Sequence, residues 1–178
     1  VGVFGNATRD NLTSNSIYDN TGKRYIQTVN AHEIPYSLNA YFMYNQPFLK
    51  KFNFSNNTSF GTRQQYGYTS KNVNAGEIDL NRLILGDLSS TIRYNAAENI
   101  SFSFTHEIVD IALRGGVGYS YSKNNFNKNA SETYDWTSSM NFGLRPTKTL
   151  TFTTDVNFTK QNGYGDFNPS QWIWNASM

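Results

Sequence analysis

The chain has no cysteine, which excludes a disulfide scaffold and any thiolate ligand or nucleophile, and suits an oxidising compartment. It also lacks any stretch near the roughly 20 consecutive apolar residues of a membrane-spanning helix, and its mean hydropathy is -0.59. Together these remove helical membrane proteins alone. A transmembrane strand needs only about 9 to 11 residues with one apolar face, a signal that averaging erases. Charge is scarce as well: Asp, Glu, Lys and Arg make up 16 % of the residues, against roughly 25 % in soluble domains. A net charge of +2 gives no electrostatic argument for nucleic acid. Apolar residues at helical spacing are missing throughout.

What is present is aromatic and amide-rich. The 178 residues include 12 Tyr, 13 Phe and 24 Asn, so the polar surface is built from uncharged hydrogen-bonding groups, and the length allows a single domain. In "NFGLRPTKTLTFTTDVNF" (141–158), Phe142, Leu144, Leu150, Phe152, Val156 and Phe158 share one parity, while Asn141, Thr151, Thr153, Asp155 and Asn157 share the other. Such period-two alternation buries one strand face and wets its reverse. Similar runs predict about eight strands, at 1–16, 33–45, 52–68, 83–95, 100–122, 132–145, 150–162 and 170–178. Short connections ("NQPFLKK", "NAAEN", "RPTKT") alternate with longer Asn- and Gly-rich ones ("SIYDNTGKRYIQTVNAHE", "TSKNVNAGEIDLN", "NNFNKNAS", "NGYGDFNPS"). Within 100–122 the apolar parity is even through Phe104 and odd from Leu113, which predicts a bulge in "THEIVDIALRGG" that absorbs one residue.

Alternation does not say whether the apolar face meets protein or lipid. Three features favour a transmembrane barrel over a soluble sandwich. Several runs exceed ten residues, against about 5 to 6 for an ordinary strand; short and long ends alternate, as in outer-membrane barrels; and Tyr94, Tyr134, Trp136, Trp172 and Trp174 lie toward run ends, where interfacial girdles sit. Asp87, Arg93 and Asp155 fall on the polar parity. Phe142, Leu144, Leu150, Phe152, Val156 and Phe158 are then the lipid-facing candidates.

Chemistry-bearing motifs are weak. "HEIVD" (106–110) offers one imidazole where a zinc helix needs two on one face, and His32 in "NAHEIP" reads as a loop residue. "RGGVG" has neither the glycine frame nor the following helix of a phosphate cradle, and the Asn-X-Ser/Thr triplets fall mostly in strands. No catalytic residues, cofactor or metal ligands are assigned, and the chain is not read as an enzyme. The chain starts at Val1 without a signal segment, and "QWIWNASM" stops inside an alternating run; both ends therefore read as cuts, making 1–178 one fragment of a β-barrel domain.

From about Arg9 onward, "NSIYDNTGKRYIQTVNAHEIPYSLNAYFMYNQPF", strand-turn-strand units such as "NFGLRPTKTLTFTTDVNFT", and above all "GDFNPSQWIWNASM" resemble the C-terminal barrel part of TonB-dependent outer-membrane transporters, particularly the large receptor-like proteins of Bacteroidota. The resemblance implies an all-β, antiparallel up-and-down segment of a barrel of about 22 strands with a plugged lumen. The plug and the final strands are not in this chain. The resemblance further implies residence in the bacterial outer membrane among its lipids, and uptake of a nutrient such as a glycan, peptide or siderophore. TonB would act through the missing N-terminal region, and a surface lipoprotein is a further candidate partner. Two other expectations stand beside it: a complete eight-stranded outer-membrane barrel with a structural or adhesive role, and a soluble carbohydrate-binding β-sandwich.

Overall fold

The computed structural model describes residues 1–79, 85–165 and 169–178. Its described residues form an all-β structure of ten strands: β1 (Gly2–Ala7), β2 (Asn11–Asp19), β3 (Arg24–Ala31), β4 (Tyr36–Phe48), β5 (Phe52–Val73), β6 (Asp87–Thr105), β7 (Val109–Asn124), β8 (Ser131–Leu144), β9 (Phe152–Asn162) and β10 (Ser170–Ser177). A single 3-10 turn covers Ala75–Glu77. Eight strands run as a continuous antiparallel sheet in the order β1-β4-β5-β6-β7-β8-β9-β10. The sheet is open, with β1 and β10 as its edges, so the β10-to-β1 pairing that a complete small barrel requires is not made.

β2 and β3 form a hairpin inserted between β1 and β4. β4 begins opposite Gln64, which leaves the upper part of β5 without a neighbour on that side. β2 takes up this vacant edge, pairing in parallel with β5 from Asn15 opposite Tyr68 to Asp19 opposite Val73. Thr13 fills one more position by donating its hydroxyl to the Tyr66 carbonyl at 2.6 Å.

Several expectations are corrected here. Residues 1–16 hold two strands, because the chain turns at 8–10 with Asp10 in the left-handed region (φ 54°). β3 lies within what reads as loop, since its "RYIQTVNA" is flanked by turn-rich sequence. "NAAEN" is no turn: Asn95 to Asn99 pair without interruption on both sides of β6. The bulge expected in "THEIVDIALRGG" is a hairpin turn at 106–108, closed by the His106 amide donating to the Val109 carbonyl at 2.8 Å. Phe104 pairs with Ile111 across it, an odd offset that changes parity in the numbering while keeping apolar side chains together.

The connections begin unequal and become alike. Leu49 and Lys50, at φ 50° and 57°, make a tight left-handed turn between β4 and β5, the hand that matches strand twist. On the C-terminal side, the "RPTKT" connection (145–151) is no shorter than the one at 125–130. Ile84 of the expected fourth strand, and Asp166, Phe167 and Asn168 of "GDFNPSQWIWNASM", lie outside the described residues.

A single sheet has no interior, and among the described residues burial is confined to the place where the hairpin meets β5. Ile17, Val29, Ala31 and Tyr68 are the buried apolar residues, with Asn15, Ser16 and Asp19 beside them. The Asn15 amide donates to Gln27 at 3.1 Å and its carbonyl accepts from the Gly86 amide at 3.3 Å, as a buried polar group requires. Truncating Ile17, 1 % exposed, to Ala is expected to cost about 2–5 kcal/mol of local stability. The same change at Leu12, 70 % exposed, should cost under about 0.5 kcal/mol. Amide hydrogen exchange across β2 and β3 measures both, and equal loss of protection in the two variants would contradict this packing.

Candidate functional site

Register sorts the meander into two unlike faces. Across one row run Phe48, Phe52, Phe104, Ile111 and Phe142, and across the next Phe54, Phe102, Leu113, Met140, Val156 and Trp174. The reverse side carries Asn57, Asn99, Gly116, Thr137 and Thr159 in one row and Ser55, Ser101, Arg114, Ser139 and Asn157 in another. Among the described residues no second layer covers the apolar face. Large side chains there stay open to the surroundings, Leu113 and Met140 each at 45 %.

Of the six lipid-facing candidates, Phe142, Leu144, Phe152, Val156 and Phe158 share the apolar face through the Leu144–Phe152 and Phe158–Trp172 pairings. Leu150 lies in the connection before β9 rather than on a strand. Asp87, Arg93 and Asp155 sit on the polar side. Asp155 there accepts from Asn157 at 2.8 Å and Asn175 at 2.9 Å.

Aromatic rings on the apolar face form two bands. Toward the short turns, Phe48 stacks on Phe52 at 5.4 Å and Phe52 meets Phe104 at 4.7 Å. Toward the long connections, Tyr94 meets Tyr121 at 5.8 Å and Tyr119 meets Tyr134 at 5.0 Å. Trp136 adjoins this second band one step along β8. Tyr94 is interior to β6 and not at a strand end, because "NAAEN" does not break the strand. Trp172 and Trp174 occupy the edge strand, the first 4.5 Å from Phe158 and the second donating its indole N–H to Thr154 at 2.8 Å. Sequence reasoning does not single out Tyr119 and Tyr121 of this second band. Their signal is the β6–β8 register, which one strand cannot supply.

Polar groups interrupt the apolar face, among them Glu98 with Asn56 and Thr58 on the same side. Glu98 accepts hydrogen bonds from Asn56 and Thr58 of the neighbouring strand, so its carboxylate is satisfied within the sheet. On the polar face, a Cβ at Gly116 would lie 2.6 Å from Asn99 Oδ1 and 2.7 Å from Thr137 Oγ1. This glycine lets polar side chains close over the backbone rather than bending the strand.

At the short-turn end, "HEIVD" is divided between the turn and β7. His106 stacks on Phe104 at 6.4 Å, while Asp110 pairs with Arg145 at 2.6 Å. His32 lies in the 32–35 connection, remote from it in sequence. Among the described residues no group of three or more His, Asp or Glu is placed to hold a metal ion. At the opposite end lies a polar cavity of about 530 Å³ between the tops of β1 and β4, the start of β2 and the middle of β5. Asn6, Asn39, Arg63, Gln65 and Asn95 are among its lining.

The hairpin beside it is held by charge-assisted bonds. Asp19 accepts from the Thr21 hydroxyl at 2.6 Å, the Thr21 amide at 2.9 Å and the Lys23 amide at 2.8 Å. These bonds, the Thr21 hydroxyl foremost, hold its carboxyl below the usual carboxylate range against the opposing effect of burial. Tyr68 donates to Glu33 at 3.0 Å, and burial, reinforced by that carboxylate, pushes its hydroxyl above its ordinary value.

Comparison with family models, with curated proteins and with solved structures finds no match to this chain.

A depressed carboxyl contributes stability above its unfolded value, near 3.8, and loses it as pH falls through the lower folded value. Protection of the Thr21 and Lys23 amides, corrected for intrinsic exchange, is therefore expected to hold at pH 5 and to fall below about pH 3.8. Asp19→Ala should lack that protection at both values. A wild-type turn whose protection is unchanged across the window would contradict the assignment.

Proposed function

We propose that this chain is wall of an outer-membrane β-barrel of the TonB-dependent transporter type, serving nutrient uptake. The apolar face meets lipid and the polar face lines the lumen. The observation that carries the reading is the uncovered apolar face shared by adjacent strands of the meander, whose reverse side from β5 to β9 is mostly Ser, Thr, Asn and Gln. A soluble sandwich calls for a second layer over Phe102, Phe142 and Phe152, and no described element supplies one.

The dimensions support the same reading. The aromatic bands are ten residues apart on β6, from Tyr94 to Phe104, which is roughly 33 Å along a strand. At the tilt of about 35–45° common in barrels, that length projects to roughly 25 Å, the height of an outer-membrane apolar band. β5, at 22 residues, is long enough to continue beyond the bilayer, and the β2–β3 hairpin caps that extension. The open edges at β1 and β10 suit an arc of a larger barrel better than a closed eight-stranded one.

The protein should require detergent for extraction and should show heat-modifiable gel mobility; recovery as a soluble species without detergent would sink the proposal. Val156→Arg should destabilise membrane assembly by about 2–4 kcal/mol, whereas Asn157→Arg, one residue along on the other face, should change it by less than about 1 kcal/mol. Folding titrations into lipid vesicles measure the difference, and equal tolerance at the two positions would count against a lipid-facing wall.

A further inference from the structure

Arg63 and Arg93 stand directly opposite one another on β5 and β6, both on the polar face and both exposed. Directly paired residues of neighbouring strands hold their Cβ atoms about 4.5–5.5 Å apart, where like charges repel. Among the described residues no carboxylate pairs with either arginine to relieve the repulsion. Flanking them in the same row are Ser37 on β4 and Ser122 on β7. Gly61 and Asn95 lie on one side along the strands, Gln65 and Thr91 on the other. Among the described residues the only ion pair is that of Arg145 with Asp110, at the far end of the sheet. Asp10, in the turn beside the cavity, makes no ion pair with either arginine.

Elsewhere on this face Asp87, Asp110, Arg114, Asp135 and Asp155 each stand opposite uncharged residues, so two directly opposed cations without a carboxylate are a departure from its own pattern. Guanidinium groups present planar forks of donors that match the oxygens of a carboxylate, sulfate or phosphate. An oxyanion between the two would turn a repulsive pair into an attractive triad. Arg63 also lines the cavity of about 530 Å³, together with the amides of Asn6, Asn39, Gln65 and Asn95. That volume lies within the range of small-molecule sites. Its neutral donors and acceptors suit hydroxyl groups.

We infer that Arg63 and Arg93 form an oxyanion-binding site on the polar face, for a hydroxyl-rich solute carrying a carboxylate, sulfate or phosphate whose uncharged remainder occupies the adjoining cavity. The inference deepens the transporter reading by naming the ligand chemistry of its lumen side, and rests on that reading for its role in uptake. The binding itself depends only on the two-faced sheet. Its failure is therefore separable from failure of the membrane assignment, which gel mobility and detergent dependence decide.

The test is calorimetric titration of the detergent-solubilised protein with D-glucuronate, D-glucose and inorganic sulfate. Glucuronate is expected to bind at least about tenfold more tightly than glucose, and more weakly as salt rises. R63Q and R93Q should each weaken it at least about tenfold, and R63K/R93K, which keeps the charge and loses the forks, should fall between wild type and R63Q/R93Q. Without ligand, R63Q and R93Q should each raise the Tm, because the repulsion is removed; a purely structural pair of arginines would lower it. Sulfate binding alone, as tight as glucuronate, would support the arginine site and overturn the role of the cavity. Glucose binding equal to glucuronate, or unchanged glucuronate affinity in a folded R63Q/R93Q variant, would overturn the site.

Discussion

The backbone pairing of Phe104 with Ile111 carries the apolar face across the turn at 106–108, and comparable pairings carry it across every other connection in the meander. A strand shifted by one residue would present Ser103 and Asp110 where phenylalanine and isoleucine now stand, and every strand beyond it would turn over with it. The aromatic bands, the amide-rich reverse side and the opposed arginines all follow from this registry. None of them exists in any single strand.

Register also explains what was legible in the sequence. Period-two alternation located most strand segments of the meander and the face on which Phe142, Leu144, Phe152, Val156 and Phe158 lie, because side-chain direction within a strand is local. Turns were harder. Asn is a turn former in ordinary proteins, but here it furnishes the polar face of a sheet, so "NAAEN" reads as a break while forming uninterrupted ladder. The parity slip after Phe104 was visible, yet a bulge and a short hairpin with an odd offset leave the same trace. β3 was concealed by its turn-rich flanks. The cavity and the Arg63–Arg93 pair depend on which residues of distant strands meet, information that alternation does not contain.

Stability is distributed unevenly along the sheet. The β2–β3 hairpin and the upper part of β5 have a small core of their own around Ile17 and Tyr68, with Asn15, Asp19 and Tyr68 each satisfied by hydrogen bonds. The meander has none, and on the proposed reading lipid supplies the burial that a second layer would give in water. Glu98 shows how a polar group is accommodated there: Asn56 and Thr58 satisfy its carboxylate from the adjacent strand, without help from solvent.

The parallel contact between β2 and β5 has a kinetic side. Leu49 to Lys51 and His106 to Ile108 join neighbouring strands whose nearest pairs are only a few residues apart in the chain, so those hairpins close with little loss of chain entropy. Asn15 and Tyr68 are separated by the whole of β3, β4 and most of β5. Their pairing closes a far longer loop, and topologies of that kind form slowly. Pairing of β4 with β5 brings the hairpin toward that edge and shortens the loop its docking must close. The contact that builds the only buried cluster among the described residues is thus placed late in assembly, as a latch on a sheet already formed.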